Sequence, residues 1–235
     1  MKQINFKERI WKHRYLLLQV YWLIYLPWFA YLEKTVTSHF HVIHMDLDDK
    51  IPFISAFAIP YFLWFGYVAV AFLYTYLHDK QEYLRACGYL FTGMTIFLIV
   101  STVYPNGHYM RYGVTLGSGA FDQLVRWLWE TDTATNLFPS IHVFNSIGAH
   151  IALTRCENLR DNKFVKYGSF TLMCSIILAT VFIKQHSVFD VMTALLMALV
   201  LYPVAYGKAP ENAIERFRAA REARRLRKKY KDVSW

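Results

Sequence analysis

The chain has 235 residues, 55% of them hydrophobic and 18% aromatic, and a formal net charge of +9. A soluble domain of this length carries more charge and fewer aromatics, so the composition argues against a water-soluble fold and for a membrane protein. Cys87, Cys156 and Cys174 are too few and too widely spaced for a zinc site or a disulfide framework, and free thiols are expected.

Residues 1–14, MKQINFKERIWKHR, are basic. With the apolar run that follows they imitate a secretory signal, but that run is long, aromatic and without a small-residue cleavage site, which predicts a retained anchor. Apolar blocks near the ~20 residues needed to cross a bilayer then recur six times. They run from about Tyr15 to Leu32, Pro52 to Leu77 with a possible kink at Pro60, Tyr83 to Val103, Pro139 to Leu153, Phe164 to Ile183 and Ser187 to Tyr206. The fourth is short and polar for a span, and Pro203 and Gly207 close the sixth. The expected fold is all-α: a polytopic helical bundle of six transmembrane helices over residues 15–206, followed by a basic tail, 207–235.

Basic residues mark the cytoplasmic side. In a six-span arrangement Lys2, Lys7, Arg9, Lys12 and Arg14, then Lys80 and Arg85, then Arg155, Arg160, Lys163 and Lys166, and the whole basic tail share one side. The other side holds Lys34, Lys50, Arg111, Arg126 and Lys184, although its loops are the longest. Both termini are thus expected in the cytoplasm, in a multi-pass protein of the cell membrane. A basic tail just inside a last span favours the anionic inner leaflet, at about 1 kcal/mol per basic residue near the surface, over nucleic acid.

Three polar segments fall at the outer face. In VYPNGHYMRYG, Pro105, Asn106 and Gly107 read as a turn, and Arg111 offers the planar fork that suits phosphate oxygens. In FPSIHVFNS, Pro139 suits a first helical turn, so that the next backbone N–H groups and the Ser140 hydroxyl face an anion, with His142 as a donor just inside. In FIKQHSVFDV, His186 and Asp190 are four residues apart on one helix face; a carboxylate there holds one imidazole nitrogen protonated and frees the other as base or nucleophile. Lys184 adds a point charge. Each motif alone also fits a helix cap or an interfacial side chain. Together, on a side poor in cations, they describe a phosphate pocket with a nucleophile in it. The HFHVIH run of His39, His41 and His44, near Asp46, Asp48 and Asp49, reads as a polar outer loop. Trp127 and Trp129 suggest a short interfacial helix.

PSIH and KQHSVFD, at their spacing relative to the spans, resemble two motifs of the type 2 phosphatidic acid phosphatase superfamily, the six-span lipid phosphate phosphatases and head-group transferases. The resemblance covers the third to sixth spans. It implies a phosphohistidine formed on His186, with Asp190 orienting its ring, His142 protonating the leaving alcohol, and Arg111 and Ser140 holding phosphate oxygens. It implies no metal and no other cofactor, and a lipid phosphate or diphosphate substrate met at the outer leaflet. The chain departs from the family at Tyr104, where Lys is usual, at Tyr112 for Pro, at Ala179 and Thr180 for Ser-Arg, and at Ile141 for Gly; Lys184 is the nearest substitute cation. This pattern looks more like the branch of inositol-phosphate and choline-phosphate transferases. Hydrolase and transferase differ only in the acceptor. Two other readings stay open: a catalytically impaired lipid-phosphate-binding protein, and a transporter, for which polar residues would continue across the spans beyond His150.

Overall fold

A computed structural model describes residues 14–207 and 219; the basic N-terminal segment and basic tail lie almost wholly outside the described residues. The described chain is mostly helical. A 3-10 segment, Arg14–Tyr21, leads into α1 (Trp22–Thr35), followed by β1 (His41–Val42) and α2 (Asp46–Lys50). Then come α3 (Ala58–His78), α4 (Lys80–Val103), β2 (Asn106–Gly107), α5 (Ala120–Thr131), α6 (Ile141–Arg155), α7 (Lys163–Phe182) and α8 (Val188–Tyr206).

Among the described residues five helical segments are long and apolar enough to cross a membrane: Tyr15–Thr35, Ser55–His78, Lys80–Val103, Lys163–Phe182 and Val188–Tyr206. Their outward faces present Leu23, Ile24, Leu63, Phe65, Leu196 and Leu199 to the surroundings, as a membrane helix does.

Polar caps start several of these helices, each satisfying backbone N–H groups that the first turn leaves free. Asp79 accepts from the amides of Gln81 and Glu82 at the start of α4. Asn162 does so for α7, and Ser187 with Asp190 forms a capping box on α8.

The fourth apolar block differs from the other five for a physical reason. Helix α6 has 15 residues, about 22 Å at 1.5 Å per residue, against roughly 30 Å of hydrocarbon. It sits among α3, α4, α7 and α8 and buries His142, Asn145 and Ser146 along with its apolar residues. Enclosed by other helices, it is spared the need for an apolar surface, and this is why it reads as polar. The approach of α4 is close: a Cβ on Gly93 would overlap the Phe144 ring, and one on Gly148 would overlap Leu90. Tyr89 and Phe144 stack at 4.7 Å between ring centroids in the same contact.

Several local expectations are corrected. Pro60 is the third residue of α3, in its first turn, rather than in the helix middle where a proline kinks. Pro139 precedes the helix, and Ser140 is the N-cap of α6. Asn106 and Gly107 form no free turn: they pair in parallel with His41 and Val42. The polar segment between α1 and α3 is correspondingly ordered, with Asp48 of α2 buried.

Candidate functional site

At one end of the bundle the loop between α7 and α8 meets the start of α6. The amides of Gln185 and His186 both donate to the Thr180 carbonyl, each at 2.9 Å, which fixes the backbone beneath His186. The Ser140 amide donates to the Asp190 carbonyl at 3.3 Å and joins α6 to α8.

These joints bring three sequence-identified residues into one line. His186 Nδ1 lies 3.3 Å from Asp190 Oδ2, and His186 Nε2 lies 3.2 Å from His142 Nδ1. Asp190 Oδ2 also accepts from the Ser187 amide at 2.9 Å, which aims the carboxylate. With Asp190 accepting at Nδ1, that nitrogen carries the proton and the Nε2 lone pair of His186 points at His142. His142 lies against two rings of α3, Tyr61 and Trp64, with centroids at 4.6 and 4.4 Å.

The two histidines are 4% and 8% exposed. Burial, with Arg111 adding a like-charge effect, pushes His186 down to about 3, so at neutral pH its imidazole is uncharged and nucleophilic in form.

Arg111 is held by main-chain and amide oxygens. Its Nη1 donates to the Asp132 carbonyl at 2.7 Å and its Nη2 to the Thr133 carbonyl at 3.1 Å and to Gln185 Oε1. The Trp129 ring lies 5.6 Å from the guanidinium. Burial lowers the Arg111 pKa from its ordinary value, with Asp132 opposing, yet an arginine stays a cation in any such setting. Two buried donors beside His186, Arg111 Nε and Gln185 Nε2, have no partner among the described residues, and neither does Asp190 Oδ1. Orphaned buried donors on and near a half-buried cation suit an oxyanion.

The other two sequence candidates have structural engagements. Ser140 is fully buried and its Oγ accepts from the Val143 amide as the cap of α6. Lys184 faces away from the histidine line: its Nζ donates to the carbonyls of Asp48 at 2.7 Å and Ile51 at 2.6 Å. It adopts a left-handed backbone, φ 53°. Tyr104 stacks on His41 at 4.1 Å, and Thr180 supplies the carbonyl under His186.

Sequence reasoning passed over Gln185, His108 and Asp132. Gln185 sits inside the KQH triplet and was overshadowed by its neighbours. His108, three residues before Arg111, donates from Nε2 to the Gln185 carbonyl at 3.1 Å while its Nδ1 accepts from the Met110 amide at 3.3 Å. Burial, with Arg111 nearby, pushes His108 down to about 4. The Asp132 carboxylate accepts from the Tyr61 hydroxyl at 3.0 Å, and burial raises it to about 6 against the pull of Arg111. No motif marks Asp132.

A second polar set lies deeper in the bundle, where Ser169 Oγ is 2.9 Å from His150 Nδ1 and 2.6 Å from the Tyr67 hydroxyl. Among the described residues no three His, Cys, Asp or Glu side chains gather as a metal-holding group. Comparison with family models, with curated proteins and with solved structures yields no match to this chain.

Proposed function

We propose that the protein is an integral membrane enzyme that cleaves or transfers a phosphoryl group of a lipid phosphate or diphosphate through a phosphohistidine on His186, as its resemblance to the type 2 phosphatidic acid phosphatases implies. The observation that carries this is the line Asp190–His186–His142, with contacts of 3.3 and 3.2 Å, within electrostatic reach of the half-buried Arg111 guanidinium. In this reading α6 is the fourth of six membrane helices, short because it is enclosed by the others. Both termini lie in the cytoplasm, and the site opens at the outer leaflet, in the cell membrane.

The chemistry follows from the line. The substrate phosphoryl group enters between the two imidazoles, breaking their direct contact. Arg111 and the orphaned Gln185 amide bind its non-bridging oxygens, where charge must be stabilised as the phosphoryl group moves. His186 Nε2 attacks phosphorus, the bond to the lipid oxygen breaks, and protonated His142 gives its proton to that oxygen. The negative phosphate beside His142 stabilises the protonated ring. In the second half, water or a head-group alcohol gives its proton to His142 and attacks the phosphohistidine, freeing His186.

The test is phosphate release from phosphatidic acid and from a polyprenyl diphosphate in detergent micelles. His186→Ala, folded as judged by size-exclusion chromatography, is expected to release none above background. Release at the wild-type rate would refute the proposal.

A further inference from the structure

We infer that Asp48, on the short outer helix α2, is a positioning residue for His186. This inference rests on the function proposed above for its kinetic consequence, and on geometry alone for its structural one.

Asp48 is 3% exposed and comes from a loop more than 130 positions away from the segment it holds. Its Oδ2 accepts from the Ser187 hydroxyl at 2.5 Å and from the Met45 amide at 2.8 Å. Its Oδ1 accepts from the Val188 amide at 2.8 Å. Its own carbonyl accepts from Lys184 Nζ. One residue thus grips the 184–188 segment on both sides of His186, by the side chain at Ser187 and Val188 and by the main chain at Lys184.

The grip bears on the line itself. The Ser187 amide donates to the same Asp190 oxygen that faces His186 Nδ1. The backbone that Asp48 fixes therefore sets both the imidazole and the carboxylate that orients it. A carboxylate side chain is suited to this, because three of its acceptor positions are filled by donors. An amide in its place would turn an NH2 group toward one of those donors. Helix α2 is in turn held to the bundle by Lys184, whose ammonium also reaches the Ile51 carbonyl. A loop whose composition reads as bland polar surface is thus a clamp on the nucleophile.

The experiment compares wild type, Asp48→Asn, Ser187→Ala and His186→Ala, each as full-length protein in micelles. Phosphate release from phosphatidic acid is measured together with carbethoxylation of individual histidines by diethyl pyrocarbonate, read by mass spectrometry. A misplacement near 1 Å costs about 10²-fold in rate. Asp48→Asn is thus expected to lower kcat by at least about tenfold with little change in KM, and Ser187→Ala by less. Both should speed labelling of His186 while leaving exposed His78 at the wild-type rate. If both variants melt lower yet keep the wild-type kcat and His186 labelling rate, Asp48 only stabilises the fold and the inference fails. If Asp48→Asn does not fold, Ser187→Ala decides by the same two readouts. Full phosphate release by His186→Ala would instead defeat the proposed function, and the labelling rates would still decide whether Asp48 holds His186.

Discussion

His142 Nδ1 lies 3.2 Å from His186 Nε2, so the nitrogen proposed to attack phosphorus is covered by the residue proposed to protonate the leaving group. The contact satisfies two buried imidazoles: one donates, the other accepts, and Asp190 holds the second tautomer. On the proposed mechanism a substrate phosphoryl group would have to replace this hydrogen bond.

If His142 supplies the proton, its loss should matter most for poor leaving groups. His142→Gln is expected to slow phosphatidic acid cleavage by about 10²- to 10⁴-fold. Cleavage of p-nitrophenyl phosphate, whose leaving group needs little protonation, should fall far less. Equal losses on both substrates would assign His142 to binding or packing between Tyr61 and Trp64.

Arg111 tests the geometry of phosphate binding. A lysine keeps the charge but cannot reproduce three donors directed at Asp132, Thr133 and Gln185 while another meets substrate. Arg111→Lys should therefore reduce kcat/KM by about 10²-fold or more, as removal of an oxyanion donor does. An unaffected Lys variant would show that charge alone suffices there.

The buried histidines also predict how stability changes with pH. The folded-state value of His108 is pushed down to about 4, below the ordinary 6.5 or so of an unfolded chain. A depressed value means that its contribution is fully present above about pH 6.5 and is lost as pH falls toward 4. At pH 5 the loss is about 2 kcal/mol by linkage. His186 acts in the same direction, but its effect is shared by wild type and His108→Gln. The melting temperature of wild type should thus fall more steeply between pH 7.5 and 5 than that of His108→Gln in the same detergent. Parallel curves would mean that His108 does not titrate in this window.

Much of the bundle was legible because helix length and hydropathy are local properties. The blocks containing Tyr15, Tyr83, Phe164 and Ser187 appear as helices within a few residues of their expected bounds. Helix α6 was seen as short and polar, and the cause, its enclosure by four other helices, is a tertiary fact that hydropathy does not encode. At the site, HxxxD was legible because four residues is one helical turn. Sequence proximity to His186 suggests that Lys184 shares its pocket, but the ammonium donates to the Asp48 and Ile51 carbonyls at α2, which only tertiary packing brings there. Asp48 and Asp132 could not be linked to the site from sequence, since each reaches it only through long-range packing of the inter-helix loops. The paired strands His41–Val42 and Asn106–Gly107 show how those loops are ordered: backbone hydrogen bonds join segments whose composition resembles solvated turns.

The central claim is a covalent intermediate on His186, and single-turnover trapping measures it most directly. Full-length protein in excess over radiolabelled phosphatidic acid, quenched in alkali, should carry an acid-labile, alkali-stable phosphoryl label that maps to His186 and is lost in His186→Ala. Product formation without a labelled protein, or a label that persists in His186→Ala, would contradict it.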